Sequence, residues 1–137
     1  MRVIIGYGNK LRGEDAFGVD VIEKVRELQP KKTKLLSILA LTPEIVLELL
    51  DAEEIIFVDA AYDIQDHYAL ACSLAQGTSH LSHHILPETI IAILNDVYKK
   101  YPAYKIYSMI TDSFDEIEEK QRYLSCIEDV VREIYRR

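Results

Sequence analysis

The side chains of this sequence that are equipped for chemistry gather in three places. Glu14 and Asp15 are adjacent at the end of the stretch Ile5-Gly6-Tyr7-Gly8-Asn9-Lys10-Leu11-Arg12-Gly13-Glu14-Asp15-Ala16-Phe17-Gly18, which holds four of the chain's five glycines. Asp59 directly follows the apolar run Ile55-Ile56-Phe57-Val58, and three of the four histidines fall within His80-Leu81-Ser82-His83-His84. Carboxylates and imidazoles accept divalent transition metals and exchange protons near neutral pH. Phosphate, the usual guest of a glycine-rich turn from strand to helix, is repelled by Glu14 and Asp15. The third glycine of a dinucleotide fingerprint is replaced by Leu11, so a nucleotide-binding reading is the weakest of those considered.

Each group also has a plainer use. Glu14 and Asp15 suit the first turn of a helix, where they oppose its dipole, and a capping acid can still face a cleft. Gly6 and Gly8 suit a tight exit from a strand. Asp59 is an ordinary strand terminator as well as a candidate ligand. Consecutive extended residues point opposite ways, so at most one of His83 and His84 is a ligand or base and the other a neighbour. His67, Asp63 and Asp66 read as solvated. Cys72 falls inside an apolar run with no base near it in sequence, as a buried inert thiol does. Ser82 lacks the Gly-x-Ser-x-Gly elbow of a serine nucleophile.

The elements that must position these groups follow from hydrophobic spacing. Residues 2–5 form a short apolar strand. Phe17, Val21, Val25 and Leu28 recur at helical spacing, and Pro30 ends that helix. Residues 35–39 predict a second strand. Thr42-Pro43-Glu44 reads as an N-cap, a proline at the first helical position and an acid in the first turn, opening a helix through Ile45, Val46, Leu49 and Leu50. Residues 55–58 predict a third strand, ending on Asp59. Residues 68–74 alternate like a fourth strand buried on both faces. Pro87 and Glu88 open a helix with Ile90, Ile91, Leu94, Val97 and Tyr98 inward. Residues 104–110 predict a fifth strand, and Ile117, Leu124, Ile127, Val131 and Ile134 a last helix. Strands alternating with helices predict an α/β fold, a mostly parallel sheet covered on both faces. Ligands of such sheets bind beyond the carboxyl ends of the strands, where Asp15, Asp59 and the histidine cluster all fall.

With 137 residues, 49% of them apolar, the chain is expected to form a single domain over 1–137 with an adequate core. The net charge of −7 argues against nucleic-acid or anionic-membrane partners. The two cysteines, Cys72 and Cys126, form no CxxC motif and suggest a reduced, cytoplasmic protein. The N-terminus shows no secretory signal, and no apolar run reaches the length of a membrane span.

The stretch from Ile5 to Val19 resembles the opening signature of the hydrogenase maturation proteases. These endopeptidases trim the C-terminus of the nickel–iron hydrogenase large subunit. The signature is a strand, then Gly-x-Gly-Asn-x-Leu, two acids, a small residue, x and Gly. The resemblance continues, in order, through Leu41-Thr42-Pro43-Glu44, Phe57-Val58-Asp59-Ala60 and Ser82-His83-His84-Ile85-Leu86-Pro87. It implies a three-layer α/β/α sandwich around a twisted, mostly parallel five-stranded sheet. It also implies that Asp15, Asp59 and His84 meet the nickel, with His83 as the neighbour of His84. Gly6, Gly8, Asn9 and Glu14 would then support the metal ligands or contact the substrate. On this reading the loop is built to meet a cation.

The activity implied is removal of the C-terminal extension of the large-subunit precursor after nickel insertion. Asp15 and Asp59 are the catalytic candidates, with a carboxylate or the metal activating water. The nickel belongs to the substrate. No tightly bound cofactor of the enzyme's own is expected, only weak binding of divalent transition metals by a monomer. Two residues depart from the family pattern: Glu14 stands where aspartate is usual, and Ala40 where many relatives carry a polar side chain. Ala40 supports the alternative of a binding homologue that has lost turnover.

Overall fold

The computed structural model describes residues 1–9, 11, 13–61, 74–76, 85–110 and 120–135. For Glu14, Asp15, Ala61, Ile110 and Leu74–Gln76 it describes the backbone alone. Among the described residues five strands make one sheet: β1 (Arg2–Tyr7), β2 (Thr33–Ile38), β3 (Glu54–Ala61), β4 (Leu74–Gln76) and β5 (Ala103–Ile110). Their spatial order is β2-β1-β3-β5-β4. The first three and β5 are mutually parallel, and β4 runs antiparallel to β5. Three α-helices among the described residues accompany them: α1 (Phe17–Glu27), α2 (Pro87–Asp96) and α3 (Lys120–Tyr135).

Alternation along the strands sorts the core into two layers. Ile4, Ile56, Val58, Tyr107 and Met109 pack with Phe17, Val21, Ile22 and Val25 of α1 and with Tyr123, Cys126, Ile127 and Val130 of α3. Val3, Ile5, Tyr7, Ile55, Phe57 and Ile106 face the other way, onto Leu41, Ile45, Val46 and Leu49 and onto Ile90, Ile91 and Leu94 of α2. The predicted three-layer α/β/α sandwich is therefore present. An edge-to-face contact between Phe17 and Tyr123, with ring centroids 5.9 Å apart, joins α1 to α3.

Four elements differ from the sequence expectation. The segment after Thr42 is a 3₁₀ helix, Pro43–Glu48, in place of an α-helix. The Thr42 hydroxyl makes no bond to the helix backbone. It bonds instead to the Glu44 side chain, which holds that carboxyl below its ordinary range. The fourth strand, in its described part, is a short antiparallel edge strand, Leu74–Gln76, where the expectation was a mostly parallel sheet; residues 68–73 of the prediction lie outside the described residues. The third strand does not end on Asp59 but continues to Ala61, because β5 pairs with it as far as Ala61 opposite Ile110. Finally, Cys126 is fully buried and disulfide-bonded, against the expectation of reduced thiols. Pairing depends on closeness in the fold, which spacing in the sequence does not show. Cys72 lies outside the described residues.

Candidate functional site

Glycine decides how closely α1 approaches the sheet. A Cβ on Gly18 would lie 2.3 Å from the Val58 carbonyl oxygen and 2.7 Å from the Tyr7 nitrogen. A Cβ on Gly6 would lie 2.1 Å from the Gly18 carbonyl oxygen. Gly6 is thus inside β1 and needed for helix packing, where the sequence suggested a strand exit. The exit is made by Gly8, whose φ of 141° favours glycine, and Gly8 N–H donates to the Ile38 carbonyl of β2 at 3.1 Å. Asn9 then accepts a bond from the Leu11 backbone N–H through Oδ1 at 2.9 Å, an Asx-type turn that shapes the loop. Glu14 and Asp15 follow on a 3₁₀ turn, Gly13–Ala16, which packs against β3.

Strand β3 carries Asp59, whose burial is nearly complete at 1% exposure. Burying a carboxylate is costly unless hydrogen bonds replace its water. Here the Tyr7 hydroxyl donates to Oδ2 at 2.7 Å and the Ser108 hydroxyl to Oδ1 at 2.5 Å. The three residues sit side by side on neighbouring strands. Asp59 is directly opposite Ser108, and Gly6, just before Tyr7, is opposite Val58. All three project toward the layer that contains α2. Burial, Asp59 and the nearby charge of Glu88 together push the Tyr7 phenol well above its ordinary range. Glu88 lies in the first turn of α2, and its Oε1 is buried without a hydrogen-bond partner among the described residues.

The structure thus packs β3, the strand that carries Asp59, against the 3₁₀ turn whose backbone carries Glu14 and Asp15. His83 and His84 lie outside the described residues. The helix that follows them, α2, covers the sheet face onto which Asp59 projects. Among the described residues no group of three or more His, Cys, Asp or Glu side chains is placed to hold a metal ion. Two clefts lie elsewhere. One of about 350 Å³ is lined by Met1, Arg2, Lys31, Lys32, Glu53 and Glu54 at the opposite end of the strands. One of about 600 Å³ lies between α1 and α3, bounded by Asp20, Glu23, Leu124 and Ile127 among others. Sequence reasoning missed Tyr7 and Ser108. Their signal was parity: Tyr7 continues the series Val3, Ile5 on β1, and Ser108 is a small polar residue inside an apolar strand. Glu88 was read only as a helix-opening acid.

Solved structures of the same shape are known. The hydrogenase maturating endopeptidase HybD from E. coli matches with a TM-score of 0.74 and 16% identity, over 97% of this chain and 88% of that one. The hydrogenase maturation protease HycI from Thermococcus kodakarensis matches with a TM-score of 0.65 and 21% identity, over 96% and 90% of the two chains. A hydrogenase 2 maturation peptidase from a Thaumarchaeota archaeon matches with a TM-score of 0.66 and 16% identity, over 97% and 94%. This chain has the fold of the hydrogenase maturation endopeptidases. No protein-family model matches the sequence, and neither does any curated protein. At these identities the endopeptidase fold is what the likeness establishes. Within that fold, Asp59 occupies the carboxyl half of a central parallel strand, the region where α/β sheets bind ligands. No helix among the described residues is long and apolar enough to cross a membrane.

Proposed function

We propose that this protein is an endopeptidase of hydrogenase maturation, acting on a nickel-loaded large-subunit precursor. One observation carries the reading: a carboxylate, Asp59, is buried at the carboxyl half of a central strand in a fold shared with such endopeptidases, and that strand packs against the acid-bearing turn. Stability alone gives little reason to bury that charge. The donor set of Asp15, Asp59 and His84 suits a borderline divalent ion such as nickel. The nickel is the substrate's own. Carboxylates and imidazole supplied by separate segments recognise a metal already held elsewhere, and such docking brings the adjoining peptide bond to the sheet edge. Asp15 or Asp59 would take a proton from the attacking water and pass it to the departing amine, and the substrate's nickel would polarise the scissile carbonyl. The free protein is expected to bind divalent transition metals weakly.

A second reading keeps recognition without turnover. Ala40 is half-buried two residues after β2, where many members of the family carry a polar side chain. Both readings meet in one experiment: incubation with a nickel-loaded precursor, with mass detection of a released C-terminal peptide. Release supports the peptidase. Stable binding without release supports the binding homologue, and neither binding nor release removes both. His84→Ala is expected to abolish release with the fold intact, whereas His83→Ala costs roughly ten- to a hundredfold at most, as a partner that orients a ligand does. The reverse order would reassign the histidine.

A further inference from the structure

We propose that Tyr7 and Ser108 are positioning residues that aim the carboxylate of Asp59 at a divalent cation; this rests on the reading above that Asp59 meets a metal. The two hydroxyls reach Asp59 from opposite sides, Tyr7 from β1 and Ser108 from β5, the two neighbours of β3. Each takes a different carboxylate oxygen. A carboxylate gripped at one oxygen still swings about its last torsion, whose well is broad. One gripped at both oxygens from opposite strands does not. Tyr7 and Ser108 are themselves buried, at 5% and 1% exposure, so neither hydroxyl wanders into solvent. Neither donor is cationic, so neither cancels the charge that a metal requires. Metal-ligating carboxylates are generally oriented by such hydrogen bonds, and losing them weakens metal binding. The plainer alternative is that the hydroxyls only satisfy a buried acid. That role predicts a change in stability and no change in metal affinity.

The test is calorimetric titration of the free protein with zinc. It compares the wild type, Asp59→Asn, Tyr7→Phe, Ser108→Ala, the double variant Tyr7→Phe/Ser108→Ala, and Ser108→Thr. Zinc binding is expected to be lost in Asp59→Asn. Tyr7→Phe and Ser108→Ala should each weaken it, the double variant by roughly ten- to a hundredfold, and Ser108→Thr should restore it by returning a hydroxyl. Circular dichroism checks folding. If Ser108→Ala does not fold, Tyr7→Phe decides, because it keeps the buried ring and removes the hydroxyl alone. Wild-type affinity in Tyr7→Phe and Ser108→Ala, with binding lost in Asp59→Asn, overturns the positioning role and leaves the metal reading standing. Undiminished zinc binding in Asp59→Asn, or none in the wild type, overturns both.

Discussion

Replacing Asp59 by asparagine or by alanine separates a carboxylate kept for structure from one kept for chemistry. The side chain is 1% exposed and accepts from two buried hydroxyls. Asparagine keeps the shape. Its oxygen accepts from one hydroxyl, and its amide donates to the other, which can turn to accept. Each bond falls from a charged to a neutral one, a loss of about 1 kcal/mol apiece. Against that stands release from burying a charge, several kcal/mol per ion. The balance predicts that Asp59→Asn is as stable as the wild type or more stable by about 1–3 kcal/mol. Alanine also removes the charge, but it strands both hydroxyls at about 1–3 kcal/mol each. The Ala variant should therefore lie below the Asn variant by about 3 kcal/mol or somewhat more. Urea denaturation of the three proteins at neutral pH, without added metal, measures both gaps. If Asp59→Asn loses more than about 1 kcal/mol, the charge itself stabilises the fold, and the inference from burial to function fails.

Three further outcomes follow from the same geometry. Gly18→Ala should cost about 3 kcal/mol or more in urea denaturation, since its Cβ meets two backbone atoms that cannot turn aside; a loss under about 1 kcal/mol would mean that α1 sits farther from Val58 than described. Glu88→Gln should gain about 1 kcal/mol by removing the charge of a carboxylate whose buried Oε1 has no partner among the described residues, and a loss would reveal a partner for Oε1. In alkali, the raised Tyr7 phenol keeps its proton in the native state while the unfolded chain loses it above about pH 10. Tyr7 therefore contributes stability below pH 10 that declines as pH rises toward its native value. Tyr7→Phe should make the fall of stability above pH 10 shallower by about 1.4 kcal/mol per pH unit, and equal slopes would place the phenol in water.

The architecture was legible in the sequence because the sandwich depends on periodicity, and periodicity is local. The runs around Ile4, Ile56 and Ile106, and the helical spacing from Phe17 to Val25, set the layers directly. Boundaries were less legible. Residues 43–48 carry a good helix-start signal, yet Pro43–Glu48 forms 3₁₀ turns. Val46 and Leu49 are buried there over barely two turns, and packing overrode propensity. Asp59 was recognised as a candidate, but its place inside β3 depends on pairing with β5, a long-range fact. For the same reason Tyr7 and Ser108 stood out only once three strands were placed side by side. Gly18 read as part of a motif, and its physical purpose, the approach to Val58, needed the fold.

The register of the sheet links the architecture to the site. Along β3, Ile55 and Phe57 face the α2 layer, whereas Ile56, Val58 and Ala60 face α1 and α3. Asp59 continues the first series. Tyr7 follows Val3 and Ile5 toward the same side, and Ser108 follows Ile106. A slip of one residue in β3 would turn Asp59 into the layer of Tyr107, Met109 and Tyr123, away from both hydroxyls. It would also turn the apolar side chains of β3 to the wrong layers, and the core forbids that. The packing that folds the sheet therefore also sets the layer toward which the carboxylate projects, and the hydroxyls of Tyr7 and Ser108 hold it there. Ala at 108 or Phe at 7 would preserve the packing and lose only the hydrogen bonds. A fold under no functional demand has little reason to place an acid at 59 and hydroxyls at both neighbouring positions, when apolar residues would pack there at no desolvation cost.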